Sequence, residues 1–194
     1  MTLLRIDRNF RGLTSREQSL AFGVFKDKLP AWSRILIGDG LGKDDRPYTW
    51  EDSPLYCIHV GPTMYPDLSL TTVIPGDPDR SRYCDLLIHE LTHVWQYYNG
   101  YWVSIRSIWA QTIGDGYRYT LQQTDCWNDF NVEQQASIVE HWFARGMSTA
   151  DDRYPFIAKI IQSDDAGEMK EIEIGRLAAI NTPVRELREW MNHR

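Results

Sequence analysis

Residues 86–96 read Leu86-Leu87-Ile88-His89-Glu90-Leu91-Thr92-His93-Val94-Trp95-Gln96, and this stretch decides the fold. Leu87, Leu91, Val94, Trp95 and Tyr98 recur at the spacing of an amphipathic helix, which predicts a helix from about Ser81 to Tyr98. Asn99-Gly100 then supplies a left-handed stop. Within that helix His89 and His93 stand one turn apart on the same face, so both imidazoles can grip one ion. Neutral imidazole is a favoured zinc donor, and a catalytic zinc takes three protein groups and keeps one position open for water. Glu90, beside His89, is placed to act as general base at that open position, accepting a proton from water and passing it to a leaving amine.

Two histidines need a third donor. The extended pattern His-Glu-x-x-His-x-x-Gly-x-x-His is excluded, because Gln96 and Asn99 occupy the glycine and third histidine positions. The best-placed donor is Glu133, near the start of a second amphipathic helix that Asn131 caps. That helix runs to about Arg145, with Val132, Ala136, Val139 and Phe143 as its buried stripe. A glutamate in a first helical turn also suits the macrodipole without any metal, so two alternatives stay open. Glu140, seven residues on and on the same face, is the first, and Asp115 in the Gly114-Asp115-Gly116 turn is the second. His59, His141 and His193 are poorly placed to serve. Tyr117 and Tyr119, flanking Arg118, are candidates to donate a hydrogen bond to the oxyanion of a tetrahedral intermediate.

Around these motifs the chain reads as α+β. Thr14 and Glu17 form a capping box that opens a helix from about Ser15 to Lys28, stopped by Pro30. Runs at Arg34 to Ile37, Tyr56 to Val60 and Thr71 to Ile74, separated by Gly, Pro and Asp clusters, predict strands of one small sheet. The Tyr56 to Val60 strand is a candidate edge for pairing with an extended peptide. A short helix is predicted at Ser104 to Gln111, and further helices near Asp152 to Gln162, Glu168 to Ile180 and Pro183 to Met191. No repeat or linker divides the 194 residues, which read as a single domain able to bury roughly 70% of the extended chain's surface.

A net charge of -6 and a pI near 5.3, with no basic stripe, exclude a nucleic-acid or anionic-membrane surface. No segment supplies the ~18 uninterrupted apolar residues of a membrane span, nor the start of a cleavable signal peptide. The expectation is cytoplasmic synthesis, with any export by a route that reads no cleavable signal. Cys57, Cys84 and Cys126 are odd in number and form no Cys-x-x-Cys pair, so they read as packed thiols in a reducing compartment.

The run HELTHVWQ (89–96), followed by FNVEQQASIVEHWF (130–143), resembles the minimal zincin metallopeptidases of the gluzincin type. More narrowly, it is similar to bacterial zincin-like domains found near Vgr-type and phage-tail-like injection systems. The similarity extends upstream through LPAWSRILIGDGLG (29–42) and YCIHVGP (56–62), covering about Lys28 to Phe143. The resemblance implies zinc held by His89, His93 and Glu133, with Glu90 as general base, and a small mixed sheet over the active helix with additional C-terminal helices. It also implies a protein or peptide substrate, and a role as an effector or processing enzyme of a secretion system. Two departures stand out: Ser137 occupies the position four after Glu133 where thermolysin-like enzymes place an acidic residue that orients a ligand histidine, and the segment between the motifs is longer. The competing expectation is a catalytically inert zincin-like interaction module, with the aromatic stretch Tyr97 to Trp109 as its partner surface.

Overall fold

The computed structural model of the chain describes residues 9–42, 45–77, 80–101, 117–122 and 126–162. Strand β1 (Phe10–Gly12) leads into helix α1 (Ser15–Phe25) through the expected capping box. The Thr14 hydroxyl accepts from the Glu17 N–H, and the Glu17 carboxylate accepts from the Thr14 N–H at 2.7 Å. The helix closes at Lys26, whose φ of 53° is left-handed, and so ends short of Lys28.

Three strands follow: β2 (Ile35–Gly38), β3 (Tyr48–Asp52) and β4 (Leu55–His59). Their order across the sheet is β1-β2-β4-β3, with β2 and β4 parallel and the outer pairs antiparallel. The fold is α+β with a small mixed sheet, as expected. Two of the strands escape the sequence reading for physical reasons. β1 is three residues long and ends in glycine, and β3 finishes in Glu51-Asp52, which carry no apolar alternation.

The expected strand at Thr71 to Ile74 does not form. Residues 71–73 are exposed, so the run has no buried face to earn a partner, and only an isolated bridge joins Val73 to Arg82. The Tyr56 to Val60 run is a strand, but it lies between β2 and β3 and has no edge to offer. Among the described residues the open edge on that side belongs to β3.

Helix α2 (Tyr83–Tyr98) packs against α1, β3, β4 and helix α3 (Val132–Ala144). From Tyr83 to Gln96 every residue except Leu86 is buried. It is therefore a central helix, covered on its polar side as well as its apolar one. Asp85 closes its first turn by accepting from the Arg82 N–H and guanidinium, and Gly100 ends it at φ 83°. Asn131 caps α3 as predicted, its side chain accepting from the Gln134 N–H at 2.9 Å. A last helix, α4 (Tyr154–Ile160), is shorter than the segment expected there.

No described helix is long and apolar enough to cross a membrane. The described residues all belong to one unit, Met1–Gln162; a second unit, Ser163–Arg194, lies outside them. The predicted helices at Ser104 to Gln111, Glu168 to Ile180 and Pro183 to Met191 also lie outside the described residues. None of the three cysteines is bonded to another; Cys84 is buried as expected, whereas Cys57 is half-buried and Cys126 exposed, so the packed-thiol reading holds for Cys84 alone.

The capping glutamate also anchors the sheet to α1. Glu17 is 0% exposed and accepts both Arg11 guanidinium nitrogens at 2.7 Å and the Leu68 N–H at 2.8 Å, in addition to Thr14. Burial opposes its charge, but these donors outweigh it and hold the carboxyl below its ordinary value of 4.5. Glu17→Ala should cost about 3 kcal/mol of stability in urea unfolding at neutral pH, because it takes the counter-charge from half-buried Arg11 and the acceptor from the Thr14 and Leu68 N–H groups. The wild-type contribution is present above pH 4.5, the unfolded value, and should fade as acid carries the pH down through the lower folded value.

Candidate metal centre

The α2–α3 contact brings the predicted ligands together. His89 and His93 present their rings 5.0 Å apart at 79°, and their Nε2 atoms lie 3.4 Å and 3.3 Å from the same Glu133 oxygen. One donor atom from each residue falls within 4.8 Å of the others, and all three residues are buried. Ala136 is fully buried on α3.

The outward nitrogens decide what the inward ones can do. His93 Nδ1 lies 2.7 Å from Gln96 Oε1, and that oxygen is identified by its amide partner, because Gln96 Nε2 donates to the Val132 carbonyl and to Gln135 Oε1. An amide oxygen only accepts, so Nδ1 carries a proton, and in the neutral form that a metal requires the ring turns its Nε2 lone pair toward Glu133. His89 Nδ1 lies 2.9 Å from Glu140 Oε2, which imposes the same tautomer. The Ser81 hydroxyl donates to the other Glu140 oxygen at 2.9 Å. Two inward imidazole nitrogens, a carboxylate oxygen and backed-up Nδ1 protons fit the donor set of a divalent transition metal.

This corrects one expectation and answers another. Glu140 is not aimed at the cluster as a substitute ligand; it sits on the far nitrogen of His89. There it does the orienting work expected of a residue four after Glu133, where Ser137 stands, from a position one helical turn further along the same face. Asp115 and His193 lie outside the described residues. His59 stacks on Tyr48 at 4.2 Å in the sheet and is no part of this cluster.

Burial works against charge on His89, but Glu133 and Glu140 outweigh it and raise its proton affinity well above the ordinary value of 6.5. His93 is raised against the same desolvation, chiefly by Glu133. Despite its own burial, Glu133 is held well below the usual carboxylate range by His93 and His89. The cluster thus favours positive charge at the point where the three donors meet, and protons and a metal ion compete for the same two nitrogens.

Glu90 is 4% exposed, and its Oε2 accepts a hydrogen bond of 2.7 Å from the Thr49 hydroxyl on β3. Of the two tyrosines singled out, Tyr117 is 42% exposed and places its ring 6.1 Å from that of His89. The Tyr119 hydroxyl is engaged elsewhere, accepting from Arg153 Nε at 2.7 Å and lying 2.8 Å from His141 Nδ1. The Arg118 carbonyl accepts from Gln134 Nε2 at 2.6 Å, which pins this strap to α3. Sequence reasoning missed Ser81, Thr49 and the work of Gln96. Only Gln96 left a signal, since a ligand histidine needs a partner for its second nitrogen and Gln96 stands one turn beyond His93.

No family model matches the chain. The chain is similar to the effector domain of a secretion-system spike protein. Over 157 residues it is 31% identical to the type VI secretion system spike protein VgrG2b of Pseudomonas aeruginosa, a match covering 77% of this chain and 15% of that protein. Against the solved structure of the effector domain of VgrG2b it shows 29% identity and a TM-score of 0.53, covering 78% of this chain and 82% of that one. Both matches point the same way as the motif resemblance to domains near Vgr-type systems.

Replacing Glu140 by Gln keeps its shape but weakens its hold on the His89 Nδ1 proton. Glu140→Gln should lower zinc affinity by roughly 10- to 100-fold in competition with a chromophoric chelator, while Glu133→Ala should abolish stoichiometric binding.

Proposed function

We propose that the chain is a zinc-dependent metallopeptidase domain delivered as an effector by a type VI secretion spike. The observation that carries this reading is the meeting of both Nε2 atoms and the Glu133 carboxylate, with Glu90 next to His89 in the same helix. Among the described residues the cluster is two nitrogens and one carboxylate, and three protein donors with the fourth position left to water is the arrangement of a catalytic rather than a structural zinc. The similarity to the VgrG2b effector domain supports the delivery route.

His89, His93 and Glu133 would hold the zinc, which would supply Lewis acidity able to bring the pKa of water near neutrality and to polarise a carbonyl. Everything else is done by the chain. Glu140 and Gln96 hold the Nδ1 protons outward and so keep both ring lone pairs on the centre. Glu90 takes the proton from the attacking water and returns it to the leaving amine. Its burial removes competing solvent and strengthens its electrostatic work. Tyr117, partly exposed beside His89, is placed to donate to the developing oxyanion, a role for which the Tyr119 hydroxyl is already committed elsewhere. The substrate is a protein or peptide: β3, the edge strand among the described residues, packs on α2, and an extended backbone paired to it would run past Glu90.

The test is hydrolysis of a random decapeptide pool by the zinc-loaded protein, read by mass spectrometry. Cleavage should stop on chelation and return with zinc. Glu90→Gln should retain stoichiometric zinc and lose at least ~100-fold in rate. A wild-type protein that holds zinc and cleaves nothing in the pool, or an E90Q variant as fast as wild type, would overturn the reading.

A further inference from the structure

We propose that Thr49 is a positioning residue for the base, setting the Glu90 carboxylate and tying it to β3, the edge strand among the described residues; this rests on the hydrolytic reading above. Thr49 sits near the start of β3, 8% exposed, paired with Ile58 of β4, while its neighbour Trp50 is 52% exposed on the opposite face. Its companions among the buried residues of the sheet are Ile35, Ile37, Tyr56 and Ile58. At such a position valine or isoleucine would pack as well and would bury no hydroxyl. The hydroxyl is justified by its partner.

Thr49 Oγ1 lies 2.7 Å from Glu90 Oε2 and 3.3 Å from the Glu90 carbonyl oxygen, so its single proton goes to the carboxylate. A neutral donor to an ionised oxygen at this distance makes a charge-assisted bond, stronger than an ordinary one. Among the described residues Thr49 is the side chain that hydrogen-bonds this carboxylate. The bond is made to Oε2 alone of the two carboxylate oxygens. It also fixes the torsion of a long side chain whose displacement by about 1 Å would cost as much as ~100-fold in rate. Because Thr49 belongs to that edge strand, a peptide docked on β3 and the base that serves it are held by the same five residues.

The experiment compares Thr49→Val, Thr49→Ser and Thr49→Ala in the zinc-loaded full chain, each alone and combined with Glu90→Gln, on one peptide from the pool that wild type cleaves. Thr49→Val should keep stoichiometric zinc and a KM within about twofold, and lose kcat on the order of tenfold. Thr49→Ser should recover kcat to within about threefold of wild type, since it restores the donor. In the E90Q background Thr49→Val should change the residual rate by less than about twofold, because the group it acts through is gone. A wild-type kcat in Thr49→Val overturns the proposal, as does a Ser variant as slow as Val, or a tenfold loss that reappears on top of E90Q. Should the valine variant fail to fold, Thr49→Ala carries the same outcomes. An E90Q variant with full activity removes the peptidase reading itself, whereas an inactive E90Q beside a normal Thr49→Val removes Thr49 alone.

Discussion

Two imidazoles and a carboxylate meet inside the contact between α2 and α3, and the rest of the molecule is arranged to make that meeting tolerable. Each group is buried, and each would be costly alone, because a desolvated ionised carboxylate is stable only against a partner. Glu133 is held charged by the very rings it faces, and the rings are held basic by Glu133. Removing one member therefore strands the others. Asn131 fixes where α3 begins, which in turn fixes where its first-turn glutamate points.

The sheet contributes placement. Its inward isoleucines, with Leu87 and Leu91 buried on α2, seat the helix so that its polar side is covered by α3 and by the Thr49 strand. The Glu17–Arg11 pair then ties the β1 end to α1 and to the loop at Leu68, far in sequence from the histidines. The two buried charge clusters, Glu17 with Arg11 and Glu133 with the two histidines, thus share no member. A change to one leaves the other's partners intact.

What was legible in the sequence is what local chemistry dictates. Helix periodicity, the Thr14 and Asn131 caps and the Asn99-Gly100 stop each depend on residues within a turn or two, and each element formed within a few residues of its expected bounds. The histidine pair is equally local. Glu133 was reachable because it opens the next strong amphipathic helix, and the structure brings it to both rings. The parts that were not legible are long-range pairings. β1 and β3 are too short or too charged to show a period, and the strand order that places β4 inside and β3 at the edge is a matter of tertiary choice. Thr49 could not be linked to Glu90 across a sheet whose edge was unknown, and Glu140's role depends on which nitrogen of His89 each of the two α3 carboxylates meets.

Beyond His93, the link from Gln96 through Gln135 to the carbonyls of Trp127 and Phe130 is made wholly of neutral groups. Ionic strength screens charges and acid titrates them, but uncharged amides respond to neither. A chain passed between surroundings of different salinity or acidity would keep its two helices in step along this relay, so that the pocket is already shaped when an ion reaches it.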